Sequence, residues 1–303
     1  MCLAVVILTF NEERHISRAI DSIADIAREI FVVDSYSVDR TVDLARTRGA
    51  VVLQNRFINQ AKQFQWALEH APITCDWIMR LDADEVIEPD LVARIRDELP
   101  TIPDDVVGIN LKRKHIFLGR WIRHGGRYPL LLTRIWRKGH GRVEDRWMDE
   151  HVVVTGGRTV TFDGGFADHN LNDLTYFVDK HNRYATREAV EVLNQRHGLY
   201  RRDPLSAEDG SRQAAVKRLI KHRLYNRIPY QISASAYFFY RYVVQLGFLD
   251  GKEGLAYHLL QGLWYRFLVG AKVDELEREL AGLDDVTVKR AVLRRFTGLE
   301  LDA

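Results

Sequence analysis

The stretch WIMRLDADEVIEPDLV, residues 77–92, decides how the N-terminal half of the chain folds. Its apolar first half has the length of a buried strand, and its second half, from Pro89 onward, has the pattern of a helix start. Between the two the chain places Asp82 and Asp84, two like charges that repel each other unless a positive charge lies beside them. The stretch therefore raises two questions: which sheet contains the strand, and which cation accompanies the acids.

Short apolar runs alternate with helical patterns throughout the first hundred residues. The predicted order is strand 3–8, helix 12–28, strand 30–33, helix 40–48, strand 50–53, helix 60–70, strand 77–81 and helix 90–99. Asn11 is expected to cap the first helix, and Gly49 is expected to end the second in the left-handed conformation. Such a βαβ series predicts an α/β fold with a mostly parallel, Rossmann-like sheet flanked by helices.

The remainder of the chain changes from an irregular segment to a helical one. Predicted strands at residues 107–112 and 130–136 extend the α/β region. Residues 171–197 have the period of one long helix, and further helical patterns follow. We therefore expect an α/β domain at residues 1–170 and a helical C-terminal extension at residues 171–303.

Composition is that of a globular protein, with 46% hydrophobic and 28% charged residues, so general disorder is not expected. Cys2 and Cys75 are the only cysteines and are expected to be bystanders, which favours a reducing cytoplasm. The N-terminus does not have the pattern of a signal peptide. No run of 18 apolar residues occurs, so no membrane-spanning helix is expected.

In a parallel sheet, ligands bind beyond the carboxyl ends of the strands, so the residues that follow each predicted strand are the candidates. These residues are Thr9, Asn11 and Glu12 after the first strand, Asp34 after the second, and Asp82 and Asp84 after the fourth. The segment TFNEER has neither the dinucleotide-binding glycine pattern nor the P-loop pattern, which argues against both of those classes. A single Asp at position 34 fits a ligand contact or a turn equally well.

Two carboxylates at spacing i, i+2 on a loop suit one hard cation. Mg²⁺ and Mn²⁺ bind one or two protein carboxylates together with waters and the phosphate oxygens of a substrate. For Asp82 and Asp84 we therefore favour a ligand role. For Glu88 and Asp90 we favour the acidic first turn of the next helix, whose dipole they complement. Glu85 has no assigned role.

Four segments carry a resemblance to a known family: VVILTFNEERHISRAIDSI, EIFVVDSYSVDRTVDLA, WIMRLDADEVIEPDLV and RYPLLLTRIWRKG. They resemble the family 2 glycosyltransferases, most closely the bacterial lipopolysaccharide-core and cell-envelope members. The resemblance implies a GT-A fold and an inverting, metal-dependent transfer of a sugar from a nucleotide diphosphate, with a UDP-sugar favoured. It implies that Thr9, Asn11 and Glu12 line the nucleotide pocket and that Asp34 contacts the base. It further implies that Asp82 contacts the ribose and the sugar and that Asp84 binds the metal. Ser35 and Tyr36 depart from the usual motif and leave the base open.

The general base is sought among the acids of RVEDRWMDEHVVV. By resemblance, Glu150 is favoured over Asp145, because a base next to a rigid element is held in place. Ion pairs of Glu144 and Asp145 with Arg142 and Arg146 are the structural alternative.

His169, in FADHN, resembles a histidine that completes the metal shell or contacts a phosphate in these enzymes. A purely structural histidine is the alternative.

Charge is unevenly distributed along the chain. Residues 1–105 contain 19 acids against 11 Lys or Arg, whereas residues 106–146 contain 11 Lys or Arg against two acids. With Trp121, Tyr128 and Trp136 interleaved, this basic segment fits single-stranded nucleic acid or a phosphorylated, lipid-linked acceptor. We favour the acceptor and expect no nucleic acid, and Arg134 is the basic residue singled out for nucleotide-sugar binding.

The C-terminal region is rich in aromatic and basic residues. Residues 228–272 form two predicted helical segments, and residues 211–245 contain seven Lys or Arg and no acid. This composition fits the headgroup boundary of a bilayer, and a helical hairpin packed on protein is the alternative.

The leading hypothesis is a cytoplasmic glycosyltransferase, peripheral at the inner membrane face, acting on a lipid-linked or lipopolysaccharide-core glycan. A metal-dependent nucleotidyltransferase and a non-enzymatic adaptor are the alternatives.

Overall fold

The computed structural model describes residues 1–144, 151–200, 228–299 and 301. The described residues form two compact units. Unit 1 contains residues 1–144 and 151–172, and unit 2 contains the described residues from 173 onward.

Unit 1 is built on one large mixed sheet. Its strands are β1 (Leu3–Thr9), β2 (Glu29–Asp34), β3 (Val51–Gln54), β4 (Trp77–Asp82), β5 (Glu85–Ile87), β6 (Val106–Phe117), β7 (Arg120–Trp121), β8 (Leu130–Arg137) and β11 (Arg158–His169). The order is β3-β2-β1-β4-β8-β6-β11-β5, with β7 on β6. The first four strands in that order are parallel, and β8 runs antiparallel between β4 and β6. A separate hairpin pairs β9 (Gly141–Val143) with β10 (Val152–Val154).

Helices cover both faces of the parallel part of the sheet. They are α1 (Ile16–Asp21), α2 (Thr41–Thr47), α3 (Gln60–His70) and α4 (Pro89–Glu98). On one face α1, α2 and α4 pack on the strands through residues such as Ile20 and Leu91. On the other face α3 packs through Phe64, because alternate strand residues point to opposite sides of the sheet. The predicted α/β architecture is confirmed.

The first helix begins later than the sequence pattern predicts. Residues 12–28 were expected to be helical, but α1 begins at Ile16 and Asn11 does not cap it. The backbone N–H groups of Asn11 and Glu12 donate instead to the hydroxyls of Ser37 and Thr41, at 2.8 and 2.7 Å. These bonds hold the chain in a loop with Asn11 at a φ of 56°, a conformation that asparagine tolerates. The left-handed end of α2 at Gly49, with a φ of 79°, is confirmed.

A disulfide joins Cys2 and Cys75, so the expectation that both are bystanders is wrong. The two residues precede β1 and β4, which are adjacent parallel strands with Leu3 opposite Trp77. This pairing brings the two Cα atoms within 4.9 Å of each other. The disulfide lies at the amino ends of the strands, at the edge of the sheet opposite the predicted ligand residues.

Unit 2 is helical in its described residues. The long helix α5 (Leu174–His197) packs against the helix Tyr265–Leu280 through a core that includes Leu193 and Leu276. The helix Tyr230–Phe239 continues into a π-helical segment, Tyr240–Val244. After a turn the chain returns through the 3-10 turn Gly247–Asp250, the helix Gly251–Tyr257 and the π-helical segment His258–Trp264. None of the helices in the described part of the chain is long and apolar enough to cross a bilayer.

Candidate active site

The predicted ligand residues lie where the neighbouring parallel strands end. We call this side of the sheet, formed by the carboxyl ends of the strands, the edge. Thr9, Asp34 and Asp82 end β1, β2 and β4, three neighbouring parallel strands. Thr9 lies opposite Asp34, and Leu8 lies opposite Asp82. His169 ends β11, which runs in the same direction as β4 and therefore ends at the same edge. The sheet thus brings together side chains that lie far apart in the sequence.

Asp34 is fully buried and organises the ends of three strands. Its carboxylate accepts hydrogen bonds from the Thr9 hydroxyl at 3.1 Å, the Ser37 backbone N–H at 2.9 Å and the Gln54 amide at 3.3 Å. These donors belong to β1, to the loop after β2, and to β3. The carboxylate therefore holds the ends of β1 and β3 and the loop after β2 together. The predicted contact of Asp34 with a base stays a prediction.

Asn11 and Glu12 are held by neighbouring loops. The Asn11 side-chain oxygen accepts a hydrogen bond from the Val38 backbone N–H at 2.9 Å. The carboxylate of Glu12 lies 2.6 Å from Nδ1 of His15, and Nε2 of His15 accepts from the Leu171 N–H at 2.9 Å. Because Nε2 is the acceptor, Nδ1 carries the proton that is donated to Glu12. The buried His15 therefore ties the loop after β1 to the segment after β11.

A buried network of ion pairs surrounds Asp82. Nη2 of Arg134 lies 3.0 Å from Oδ2 of Asp82 and 2.5 Å from Oε1 of Glu85. Nε of Arg80 lies 3.2 Å from Oδ1 of Asp82, and the backbone N–H of Asp82 donates to the second Glu85 oxygen at 2.9 Å. Glu85 is 1% exposed and Arg134 is 5% exposed. The two acids are therefore linked through one arginine.

The two linked carboxylates have opposite pKa shifts. Burial opposes ionisation of Asp82, but Arg80 and Arg134 outweigh it and lower the pKa of this carboxyl. Burial raises the pKa of Glu85 to about 8; Arg134 opposes this rise, whereas the charge of Asp82 adds to it. Asp82 therefore carries the negative charge of the pair at neutral pH, and Glu85 remains mostly protonated below a pH of about 8.

A second layer of charged residues extends the network from β6 and β11. Nη1 of Arg113 lies 3.7 Å from Glu85 and 3.7 Å from Asp168. Nδ1 of His115 lies 3.1 Å from Asp168. These residues connect the end of β4 with β6 and β11. Asp82 is therefore surrounded by positively charged side chains.

Asp84 lies in a different environment from Asp82. Oδ2 of Asp84 accepts a hydrogen bond from the Asn170 amide at 2.9 Å, and the Asp84 carbonyl accepts from the His169 N–H at 3.0 Å. Nη1 of Arg18 lies 3.3 Å from Nδ1 of His169. An arginine is always a donor, so Nδ1 accepts and Nε2 carries the proton. Burial and the charge of Arg18 lower the pKa of His169, which keeps the ring neutral.

The donor set around Asp84 fits a cation that arrives with a diphosphate. In the described residues no group of three or more Cys, His, Asp or Glu side chains surrounds one point, so a resident metal has no complete shell there. Mg²⁺ and Mn²⁺ need only one or two protein carboxylates when phosphate oxygens supply the remaining ligands. Asp84 supplies such a carboxylate, and Asn170 orients it. A ligand role for His169 stays a prediction.

Both candidates for the general base, Glu150 and Asp145, lie outside the described residues, as does Asp149. The described neighbours are Glu144, which is buried, and His151, whose carbonyl accepts the Glu144 N–H at 3.0 Å. The choice of base therefore stays a prediction.

Comparison with known families identifies the protein class. The sequence profile described as glycosyl transferase family 2 matches residues 4–161, which is more than half of the chain. The chain belongs to glycosyltransferase family 2.

Relatives of the chain are also named as glycosyltransferases. An uncharacterized glycosyltransferase of Rickettsia prowazekii (strain Madrid E) is 36% identical over 212 residues, covering 64% of this chain and 68% of that protein. An uncharacterized glycosyltransferase of Rickettsia typhi is 37% identical over 89 residues, covering 29% of this chain and 30% of that protein. The match thus spans less than a third of the length of the Rickettsia typhi relative.

A solved structure also matches part of the chain. It is glucosyl-3-phosphoglycerate synthase from Mycobacterium tuberculosis, in complex with Mn²⁺, uridine diphosphate and glucosyl-3-phosphoglycerate. The identity is 24% and the TM-score is 0.33, and the match covers 37% of this chain and 44% of that chain.

The basic segment of this family 2 glycosyltransferase contains one half-buried aromatic residue surrounded by cations. Lys114 Nζ and Arg123 Cζ lie 5.1 and 5.3 Å from the ring centroid of Trp121. Tyr128 contacts the same ring edge-on at 4.9 Å. Trp136, the third aromatic residue interleaved in the basic segment, is fully buried among the residues packed against α3, so its ring does not face a ligand.

Several residues of the site were not singled out from the sequence. Arg80 lies within β4 and Arg113 within β6. Glu85 begins β5, which pairs with β11, and its side chain is buried. Arg80 carried a usable signal, because in a strand it shares a face with Asp82 two residues later. Glu85 carried none, because a three-residue strand has no measurable period. Asn170 was likewise hidden in a polar loop.

Proposed function

We propose that this family 2 glycosyltransferase transfers a sugar from a nucleotide diphosphate, with a UDP-sugar favoured, to a lipid-linked or lipopolysaccharide-core glycan. The observation that carries the proposal is the position of Asp82 and Asp84 at the carboxyl end of β4, beside the ends of β1 and β2. Asp82 contacts Arg80 and Arg134, and the Asn170 amide orients the carboxylate of Asp84. An acidic residue held in this way at the carboxyl end of a central strand suits a cation that accompanies a diphosphate.

The residues of the edge divide the work of the reaction. Asp84 would hold Mg²⁺ or Mn²⁺, and His169 is the further ligand proposed by resemblance. The ion would stabilise the charge that develops on the leaving diphosphate. Thr9, Asn11 and Glu12 would line the nucleotide pocket, whose wall Asp34 fixes. Proton removal from the acceptor hydroxyl falls to a carboxylate of the β9–β10 connection, with Glu150 favoured over Asp145.

Arg134 would act on the donor through Asp82. It contacts Asp82 and Glu85 with one nitrogen, and its guanidinium lies 5.4 Å from the ring centroid of Phe166. These contacts hold Asp82 ionised and in one position, which is what a carboxylate needs in order to bind sugar or ribose hydroxyls. Arg134 is thus proposed as a residue that positions a ligand, in keeping with its burial.

The acceptor is proposed to be anionic. Arg123 is exposed beside Trp121, and Lys114 is paired with Glu88 at 2.6 Å. The cations of β6 and of the segment that follows it extend beyond the same edge at which Asp82 lies. A phosphate on a lipid-linked glycan would meet positive charge at this edge. The same chemistry favours a peripheral position at the inner face of the cytoplasmic membrane.

The proposal is tested by donor hydrolysis and donor binding. Purified protein is incubated with UDP-glucose, UDP-N-acetylglucosamine, GDP-mannose and a CMP-sugar, with and without Mn²⁺, and the released nucleotide is measured. We expect release from one UDP-sugar, dependent on Mn²⁺ and reduced about 100-fold or more by Asp84→Asn. Asp97→Asn, an exposed aspartate paired with Arg96, is the matched control. Equal activity of Asp84→Asn and Asp97→Asn would refute the role of Asp84.

The base is tested separately. Glu150→Gln should abolish transfer while leaving the affinity for UDP unchanged, because a general base acts on the acceptor and not on the donor. Asp145→Asn is its comparison. Loss of turnover in Asp145→Asn together with normal turnover in Glu150→Gln would reverse the assignment.

A further inference from the structure

The turn of the helical hairpin in unit 2 exposes a dense series of apolar side chains. The hairpin comprises residues 230–264, and its turn follows the π-helical segment Tyr240–Val244. Between residues 239 and 249, seven large side chains of eleven residues are exposed. They are Phe239 (58%), Tyr240 (49%), Val243 (41%), Val244 (58%), Leu246 (47%), Phe248 (45%) and Leu249 (49%). We call these seven residues the apolar tip.

Charged and titratable side chains of the same hairpin lie inside it. Arg241 is 4% exposed, Asp250 is 2% exposed and His258 is fully buried. In residues 230–264 the sequence has only two other charged residues, the adjacent Lys252 and Glu253. A protein surface in water has the reverse arrangement, with charges outside and large apolar side chains inside. The hairpin therefore presents to its surroundings the surface that suits a low-dielectric medium.

The conformation of the turn supports the same conclusion. Leu246 has a φ of 61°, a left-handed conformation in which a bulky residue is strained and glycine is not. The next residue, Gly247, is packed so closely that an added Cβ would lie 2.6 Å from Nε2 of His258. Glycine therefore occupies position 247, where there is no room for a side chain, and leucine occupies position 246, where the backbone conformation favours glycine. Because the Leu246 side chain is exposed, the leucine contributes little to the protein core.

We propose that the apolar tip inserts into the headgroup region of a bilayer that contains anionic lipids. Fifteen helical residues, 230–244, rise about 22 Å, which is less than the roughly 30 Å of a hydrocarbon core, so the hairpin enters one leaflet only. Aromatic residues such as Phe239 and Tyr240 suit the boundary between headgroups and acyl chains.

The composition of the chain before the hairpin favours a lipid surface as the partner. In the sequence, residues 211–245 contain seven Lys or Arg and no acid, and of the seven Arg241 is buried in the hairpin. Within the hairpin Lys252 is 92% exposed and lies 3.8 Å from Glu253. Anionic headgroups complement a basic sequence of this kind. The inference deepens the proposed transfer to a lipid-linked acceptor and rests on it for its purpose, although vesicle binding requires no turnover.

The experiment measures binding of the whole protein to vesicles by flotation. The vesicles are phosphatidylethanolamine with phosphatidylglycerol at three to one, and phosphatidylcholine alone. The test variant is Phe239→Ser/Val244→Ser/Leu246→Asn, in which asparagine tolerates the left-handed backbone. The matched control is Val288→Ser/Phe296→Ser, two residues of the helix Val286–Thr297 that are 45% and 53% exposed. Melting temperatures verify that both variants fold.

We expect the wild type and the control to float with the anionic vesicles, and the test variant to bind at least tenfold more weakly. Insertion is measured by quenching with brominated lipids, which should affect Phe239→Trp and not Phe296→Trp. Equal flotation of the test and control variants would overturn the inference. So would a wild type that does not float and that sedimentation shows to be a dimer, with the test variant monomeric.

Failure of this inference is distinguishable from failure of the proposed function. Donor hydrolysis without vesicle binding refutes the lipid surface and leaves the glycosyltransferase assignment intact. Vesicle binding without turnover of any donor refutes the proposed donor and reaction and leaves the lipid surface intact.

Discussion

Replacing Arg134 by methionine tests whether the buried network around Asp82 behaves as one electrostatic unit. The substitution keeps an apolar side chain of similar length over Phe166 but removes the only described cation that contacts both Asp82 and Glu85 within hydrogen-bonding distance. Arg134 is 5% exposed and Glu85 is 1% exposed, so water does not replace the lost partner. Removing one member of such a buried pair costs about 3–5 kcal/mol.

The sign of the pH dependence follows from Glu85. Burial raises the pKa of Glu85 to about 8 in the folded protein, whereas the unfolded value is about 4.3. A raised pKa contributes stability that is complete below the unfolded value and is lost as the pH rises through the folded value. Without Arg134, which opposes the rise, the pKa of Glu85 climbs further. The destabilisation caused by Arg134→Met should therefore be larger at pH 9 than at pH 6.

Urea unfolding at pH 6 and pH 9 measures these effects in the wild type, Arg134→Met, Glu85→Gln and the double variant. Glu85→Gln removes the titrating group, so the double variant should show little of the extra destabilisation at pH 9. Residues in one network couple by about 0.5–3 kcal/mol, and we expect the double variant to be more stable than the sum of the single changes by that amount. Additive losses that are the same at both pH values would refute the reasoning.

Three further predictions concern packing, metal affinity and the disulfide. Gly141→Ala should lower the free energy of unfolding by about 1–3 kcal/mol, measured by urea unfolding, because the new Cβ would lie 2.4 Å from the buried Trp136 ring. Asn170→Ala should weaken Mn²⁺ binding in the presence of UDP by about 10–100-fold in calorimetry, because Asp84 loses the amide that orients it. Reduction of the disulfide should lower the free energy of unfolding by about 4 kcal/mol, measured with and without dithiothreitol, because its half-cystines lie 73 residues apart.

The parallel part of the fold was predictable because each element carries its own local signal. The predicted strand at residues 3–8 and the predicted helix at residues 60–70 correspond to β1 and α3, and the helix bounds agree residue for residue. Gly49 was predictable for the same reason, since a left-handed helix end depends on one residue. Local patterns of this kind need no knowledge of the neighbours in space.

The loop after β1 and the short strand β5 were not predictable, because distant residues determine them. Asn11 has the residue type of a helix cap, but the Ser37 hydroxyl accepts its backbone N–H instead. Glu85 follows two acids in the sequence, yet pairing of β5 with β11 at Asp168 buries it beside Arg134. Tertiary hydrogen bonds outweigh local preference at both positions, and both positions lie at the candidate site.

The repulsion between Asp82 and Asp84 is resolved by treating the two acids differently. Arg80 and Arg134 balance the charge of Asp82 from inside the protein, so Asp82 needs no external ion to stay ionised. Asp84 has the amide of Asn170 as a hydrogen-bond donor and experiences the charge of Arg18. Asp82 already contacts two arginines, so we propose Asp84 as the acid of the pair that would bind a cation arriving with a diphosphate, and Asp82 as the acid that would bind the hydroxyl groups of a ligand.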